Sequence, residues 1–253
     1  MKKYLQIILW PLMVALALPA TVSAGVLRDD KADTDWEILL APYLWGQKLD
    51  GESNGLPIEA SFGDILSNLN MAMSLHTEFH RGKWAFVIDP TYVSLEAEPE
   101  GLPVEPKINV DIWIVEAWGA YKVTSNWELL AGARYNNQKI KVNGLGVVPS
   151  PPAPEGGFPD PMNVKDNWTD LFAGVRANYP LGEKWILSAR GDIAFAGDSD
   201  SAYNLNIFFN RRIRKTMAVN LGYRYYKNDY DNAPTYTWDM KQQGPVVGYT
   251  WAF

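Results

Sequence analysis

The final ten residues, 244–253, read GPVVGYTWAF and alternate between two kinds of side chain. Val247, Tyr249, Trp251 and Phe253 fall on one face, and the residues between them are small, apolar or weakly polar. A period of two is typical of a β-strand, and a face that is wholly apolar or aromatic requires lipid or a protein core. Such a strand is an aggregation hazard at the edge of a soluble sheet, whereas the last strand of a closed barrel has no free edge.

The same period recurs along the chain and predicts ten strands. Their predicted ranges are 36–47, 70–81, 84–96, 108–123, 127–142, 167–179, 185–196, 202–211, 216–227 and, after a loop at 228–240, a last strand that ends at residue 253. The separation into an apolar and a charged face is clearest in strand 185–196, where Leu187 and Ile193 fall on one face and Arg190 and Asp192 on the other. An Arg or Lys facing lipid at mid-depth costs about 2–4 kcal/mol, so the charged face must point into a lumen.

The pattern therefore predicts an all-β fold, a single antiparallel transmembrane β-barrel formed by residues 36–253. Ten strands are predicted, with eight or twelve as alternatives if residues 48–69 contain another hairpin. Within that segment, Asp64 is expected to cap a helical turn over residues 64–69 that folds over or into the barrel mouth. The segment 143–166 carries six prolines and is predicted to be an exposed loop.

Three of the short turns, G-K-W, S-N-W and E-K-W, place a tryptophan first in the next strand. These residues, Trp84, Trp127 and Trp185, are predicted to form with Trp251 an aromatic girdle at a membrane interface, where an indole meets both lipid and water. Basic residues lie beside the short turns and acidic residues lie in the long segments. We therefore expect short periplasmic turns and long extracellular loops.

The N-terminus has the three parts of a secretory signal peptide. Lys2 and Lys3 give a positive start, an apolar stretch follows, and Val22-Ser23-Ala24 is a small-residue cleavage site. We expect residues 1–24 to be removed and residues 25–35 to form a polar periplasmic lead-in. The chain has no cysteine, which excludes a lipoprotein anchor, disulfides and thiolate metal sites. The predicted location is the bacterial outer membrane.

Composition supports a barrel and argues against nucleic-acid binding. Removing Lys2 and Lys3 with the signal peptide leaves 21 Lys and Arg against 29 Asp and Glu, a net charge of −8. The chain has 11 Trp, 13 Tyr and 9 Phe although its mean hydropathy is slightly negative. Aromatic girdles outside and polar residues inside explain both facts. The expected partners are the lipid bilayer and lipopolysaccharide, whose phosphates divalent cations could bridge to the acidic loops; no cofactor is expected.

Alternation also selects the polar residues that face the lumen. The predicted lumen network consists of His76, Glu78, His80, Asp89, Glu116, Glu128, Arg134, Asp170, Arg176, Arg190, Asp192 and Arg224. His76, Glu78 and His80 share one strand face, so a metal site or a general base is an alternative to plain ion pairing. We interpret the set as mutually neutralising side chains, with neither a metal nor catalytic residues. Both histidines fall in the periplasmic half, which departs from the pattern of outer-membrane lipid hydrolases and proteases.

The function predicted from these features is a non-enzymatic barrel with a plugged polar lumen and a structural or interaction role. Ten strands enclose little more than their own side chains, whereas open aqueous channels occur at sixteen to eighteen strands. The first alternative is a narrow gated porin-like channel for small solutes, since the charged network and residues 61–69 could act as a gate. A distant third is an outer-membrane lipid hydrolase or protease that uses His76 or His80. Oligomeric state is left open.

Two resemblances add to this interpretation. The ending resembles the C-terminal signal of bacterial outer-membrane barrels, which implies that Tyr249, Trp251 and Phe253 are read by the barrel assembly machinery. P-Y-L-W-G at 42–46, S-F-G-D-I-L-S-N-L at 61–69, G-K-W at 82–84 and D-P-T-Y at 89–92 resemble a family of uncharacterised proteobacterial outer-membrane barrel proteins. That resemblance is strongest over about residues 36–96. It implies a membrane barrel and supplies no activity.

Overall fold

The computed structural model describes residues 35–97, 107–143, 162–233 and 236–253. The expected signal peptide, nearly all of the lead-in and most of the proline-rich loop lie outside these ranges. The elements are β1 (Glu37–Trp45), β2 (Lys48–Ser53), β3 (Leu56–Ala60), α1 (Phe62–Ser67), β4 (Leu69–Arg81), β5 (Trp84–Ala97), β6 (Lys107–Lys122), β7 (Trp127–Asn143), β8 (Met162–Pro180), β9 (Trp185–Gly197), β10 (Ser201–Arg214), β11 (Met217–Asn232) and β12 (Tyr236–Ala252).

Ten of these strands form a closed antiparallel barrel. Each strand from β4 to β12 pairs with its neighbour in the chain, and β1 pairs with both β4 and β12. The last residues complete the closure, since the Phe253 N–H donates to the Ile38 carbonyl at 2.9 Å and the Ile38 N–H donates back at 3.3 Å. The predicted fold class and strand number are confirmed.

The segment between β1 and β4 does contain a hairpin, but it does not enlarge the barrel. β2 and β3 turn through Asn54 and Gly55, with φ of 51° and 73°, which is the Asn-Gly signature of a two-residue hairpin turn. β2 pairs with the extracellular half of β12, whose periplasmic half pairs with β1. At the change of partner, a Cβ on Gly244 would lie 1.8 Å from the Gly46 carbonyl oxygen, so only glycine fits there.

The N-cap of helix α1 lies three residues earlier than predicted. Its N-cap is Ser61, whose hydroxyl accepts from the Asp64 N–H at 3.2 Å, while the Asp64 carboxylate accepts from the Ser61 N–H at 2.8 Å. Asp64 is therefore the third helical residue of a capping box and not the cap. Hydrogen bonding with Ser61 holds the pKa of the Asp64 carboxyl below its usual value. Ile65 is the buried residue of the helix. Within the described residues, no helix combines the length and apolarity needed to cross a membrane.

The strands extend further on the extracellular side than their predicted ranges. β8 begins five residues before the predicted start at residue 167. Residues 228–240, predicted as a loop, are mostly strand, since β11 continues to Asn232 and β12 begins at Tyr236. Asn, Asp and Pro residues in that stretch signal a turn, but inward aromatic residues alternate with them and keep the two strands paired. β11 and β12 thus form a hairpin longer than a bilayer requires.

The outer face of the barrel is a lipid-facing belt. Large apolar side chains point outward from the middle of the strands, and Ile193 and Phe195 are 61% and 66% exposed. Trp84, Trp127, Trp185 and Trp251 lie at the periplasmic border of this belt, near the short turns. Three rings at that border carry cations above them: Arg81 over Trp36, Lys83 over Tyr121 and Arg211 over Trp185, at 5.5–6.0 Å. A closed barrel with this belt belongs in the bacterial outer membrane.

Candidate functional site in the barrel lumen

The middle of the lumen is crossed by five charged side chains, the central cluster: Glu116, Arg134, Arg190, Asp192 and Arg224. Glu116 accepts hydrogen bonds from all three arginines, at 2.7 Å from Arg134, 2.7 Å from Arg190 and 3.0 Å from Arg224. Asp192 pairs with Arg134 at 2.7 Å and with Arg190 at 2.8 Å. These contacts join β6, β7, β9 and β11, so the cluster ties opposite walls of the barrel together.

Aromatic rings take the place of water around these arginines. The Arg134 side chain has no exposed surface, and its guanidinium lies 4.7 Å from the ring centroids of both Phe172 and Tyr226. Arg190 lies 4.8 Å from the ring centroid of Trp118. A guanidinium between aromatic faces keeps favourable electrostatic contacts after it loses its hydration. The arginines of the central cluster are therefore packed between aromatic rings and carboxylates and are not surrounded by water.

Inward-facing glycines make room for the large side chains of the lumen. Gly132 faces the lumen beside Trp118, and a Cβ on it would lie 2.3 Å from both the Trp118 Cβ and the Ala117 carbonyl oxygen. Gly174 and Gly222 are crowded in the same way by Asp192 and Phe208. The side chains of neighbouring strands lie across these glycines, which is why large residues fit in so narrow a barrel. The sequence analysis did not identify this packing role, although a glycine at an inward-facing strand position indicates that another group approaches closely there.

We expect Gly132→Ala to destabilise the barrel by about 1–3 kcal/mol, because the new methyl group must displace Trp118 or the β6 backbone. Gly119→Ala is the matched control: its Cβ would meet Phe86 at an ordinary 3.8 Å. Urea unfolding of both variants in lipid vesicles, followed by the loss of the folded form on unheated SDS gels, measures the difference. Equal midpoints for the two variants would show that Gly132 is not a packing site.

A second group of charges, the histidine cluster, lies on the periplasmic side of the central cluster and consists of His76, Glu78, His80, Asp89, Glu128 and Arg176. His76 contacts Asp89 through Nδ1 and Glu78 through Nε2, each at 2.7 Å. Glu78 also bonds the His80 Nε2 at 2.6 Å and the Arg176 guanidinium at 2.5 Å. Glu128 is the second partner of Arg176, also at 2.5 Å.

Tyr43 connects the two clusters. Its hydroxyl donates to Asp89 at 2.7 Å and accepts from Arg224 at 3.4 Å. Eleven of the twelve residues predicted for the lumen thus form one continuous network. The twelfth, Asp170, is fully buried directly opposite Arg134 on the neighbouring strand, where it accepts from the Ser199 N–H and hydroxyl at 2.9 and 2.8 Å. The sequence analysis missed Tyr43 because it used the Pro-Tyr-Leu-Trp stretch only as a motif of the family resemblance.

The histidines are arranged for ion pairing more than for catalysis. The hydrogen bonds described for them run to carboxylates, and both ring nitrogens of His76 are engaged in this way. A nucleophilic site needs a hydroxyl or thiol within reach of the base. In the described ranges, no group of three or more His, Asp and Glu side chains is placed to hold a metal ion.

The extracellular half of the lumen is filled by an aromatic layer of Trp168, Tyr230, Tyr236, Trp238 and Met240. Trp168 stacks on Tyr230 with ring centroids 4.4 Å apart and planes 8° from parallel. Leu49 of β2 and Ile65 of α1 pack against the layer. The hairpin and the helix thus lie over the barrel mouth.

The periplasmic half differs, because it encloses a cavity of about 580 Å³, the periplasmic cavity. Residues of the short turns, among them Lys83 and Asn126, lie at its rim, and the central cluster lies at its inner end. The lumen therefore has three levels: the aromatic layer on the extracellular side, the central cluster in the middle and the periplasmic cavity below it.

No protein-family model and no curated protein matches the chain. Solved structures similar to it include Ail of Yersinia pestis, in complex with the heparin analogue sucrose octasulfate, at 11% identity and a TM-score of 0.43, covering 87% of this chain and 99% of that one. The translocator domain of the autotransporter NalP from Neisseria meningitidis is 13% identical with a TM-score of 0.49, covering 89% and 90%. Neisserial surface protein A is 12% identical with a TM-score of 0.35, covering 86% and 97%. Likeness at this level gives no information about ligand or activity.

Proposed function

We propose that this chain is a non-enzymatic outer-membrane barrel with a closed lumen, which serves a structural or interaction role. The observation that carries the proposal is the central cluster, in which three arginines and two carboxylates from four strands meet at mid-depth. Their charges nearly cancel, whereas selective pores carry rings of one sign. The aromatic layer above the cluster adds a second barrier.

Its partners follow from its two surfaces. The lipid-facing belt requires a bilayer, and we propose that lipopolysaccharide contacts the extracellular end through divalent cations held by acidic residues such as Asp166, Asp198 and Asp231. The pairing of Phe253 with Ile38 supports a role for Tyr249, Trp251 and Phe253 as the signal read by the barrel assembly machinery. Membership of the uncharacterised proteobacterial barrel family that the motifs resemble is part of the same proposal.

The runner-up is a narrow gated channel, and the periplasmic cavity is the observation that favours it. The cavity already opens half of the lumen, so a path needs only the central cluster and the aromatic layer to move. Swelling of liposomes in small sugars or salts separates the two functions. A closed barrel leaves the wild type, Arg176→Ala and Arg190→Ala equally impermeable, because the aromatic layer remains in place.

The control for this assay is Arg214→Ala, which removes an exposed arginine outside the lumen. Swelling in Arg176→Ala or Arg190→Ala alone would favour a gate. Swelling in the wild type would reject the closed lumen. Hydrolysis of lipid or peptide that disappears in His76→Ala or His80→Ala would overturn the non-enzymatic assignment.

A further inference from the structure

We propose that the periplasmic cavity is a binding site for a small, neutral, polyhydroxylated solute of the size of a mono- or disaccharide. Its volume of about 580 Å³ lies within the range of small-molecule sites. It is closed on the extracellular side by the central cluster and reached from the periplasmic turns. The inference goes beyond the closed barrel proposed above, because it assigns the periplasmic half of the lumen a ligand.

The charges of the lining favour a neutral ligand. Five carboxylates and six Lys or Arg side chains line the cavity, so neither sign is in large excess. The innermost of these groups are already paired, as Glu78 with Arg176 and Asp89 with His76 show. An anion or a cation would have to break such pairs, and separating buried partners is costly.

One wall of the cavity is an amide belt of uncharged polar side chains: Asn178, Ser188, Asn210, Asn220 and Thr250. Thr250 donates to Asn220, which donates to Asn210, each at 2.7 Å. Asn210 continues the chain to Ser188 at 2.8 Å, and Ser188 donates to Asn178 at 2.7 Å. An amide makes up to four hydrogen bonds, so the belt keeps donors and acceptors for a ligand. Alternating donors and acceptors match hydroxyl groups, which both donate and accept.

Two deeper residues point to the same chemistry. Trp118 and Asn206 line the cavity and are 4% and 8% exposed, yet the Trp118 Nε1 and the Asn206 Oδ1 have no hydrogen-bond partner among the described residues. Buried polar atoms are nearly always satisfied, so these two call for a partner that the chain does not supply. One is a donor and the other an acceptor. Both atoms are covered by neighbouring atoms in this structure, so a side-chain rotation is needed to bring either of them to a hydroxyl group of a polyol or sugar in the cavity.

The test is calorimetric titration of the folded barrel in detergent with glucose and sucrose, beside glucosamine and glucose 6-phosphate as cationic and anionic comparators. We expect saturable binding of at least one of the two neutral sugars, tighter than that of either charged comparator. Asn206→Leu should weaken this binding about tenfold, the effect of losing one hydrogen bond to a buried group. Asn136→Leu is the matched control, since Asn136 is also buried in the lumen but does not line the cavity.

Each other outcome overturns the proposal. Absence of saturable heat with both neutral sugars means that the cavity holds water only. Tighter binding of a charged comparator, or equal losses in Asn206→Leu and Asn136→Leu, contradicts the assigned chemistry. Should Asn206→Leu fail to give the folded form on unheated gels, Thr250→Val, which keeps the side-chain volume and removes the hydroxyl at the end of the amide belt, replaces it with the same expectation.

Discussion

Replacing Arg134 with methionine will cost the barrel about 3–5 kcal/mol of unfolding free energy, the usual penalty for removing one partner of a buried ion pair. Arg134 is fully buried and holds Glu116 and Asp192 at 2.7 Å. Without its guanidinium, two carboxylates in the middle of the lumen lose a shared cation. Methionine keeps much of the side-chain volume, so the decrease in unfolding free energy reflects the lost charge more than lost packing.

Urea unfolding in lipid vesicles, followed by the folded form on unheated gels, measures this cost. Arg214→Met makes the same chemical change at an exposed position near the β10–β11 turn and should stay within about 0.5 kcal/mol of the wild type. If Arg134→Met and Arg214→Met unfold at the same urea concentration, the central cluster does not hold the walls together.

Deleting Phe253 will reduce the amount of barrel in the outer membrane to a small fraction of the wild-type yield. The residue makes the last two backbone hydrogen bonds between the chain end and Ile38, and its removal leaves part of the β1 edge unpaired. Unpaired backbone groups at a lipid-facing edge are costly. The same residue ends the predicted assembly signal, so both closure and recognition are weakened.

Quantitative detection of the folded form in outer-membrane fractions measures this effect. Deletion of Asp200, an exposed residue of the β9–β10 loop, is the control and should leave the yield nearly unchanged. Phe253→Ala keeps the backbone bonds and removes only the ring, so it separates recognition of the aromatic side chain from strand closure. Wild-type yield after deletion of Phe253 would show that the C-terminal strand was interpreted wrongly.

The architecture could be predicted because the side-chain period of a strand reports which face meets lipid. In β9, Leu187 and Ile193 fall on the face that must meet lipid, while Arg190 and Asp192 fall on the face that must meet the lumen. Only one orientation of the strand is therefore possible, and the same reasoning holds for its neighbours. The β2–β3 hairpin was only an open alternative, although Asn54 and Gly55 carry a strong local turn signal. The predicted β11–β12 hairpin is too short, because the turn-forming residues at 228–240 outweigh the inward aromatic residues in the sequence pattern.

The partners inside the lumen could not be predicted in the same way. Alternation shows that Glu116 and Arg224 point inward, but these residues are 108 positions apart and meet only because the barrel closes. The strand register places Arg176 directly opposite Arg190, and like charges at directly opposed positions of two strands repel each other. The structure resolves it by turning Arg176 towards Glu78 and Glu128 and Arg190 towards Glu116. Three-dimensional closure, which no local pattern encodes, decides these contacts.

The most direct test of the closed lumen is a planar-bilayer recording of the purified wild-type protein. The central cluster and the aromatic layer together predict that insertion of folded barrels leaves the current at the level of the bare bilayer, at either polarity and in high salt. Folding of the same sample is verified by its heat-modifiable migration on gels. Steady conductance steps of large-pore size from the folded protein would contradict a lumen plugged by Glu116, Arg134 and their partners.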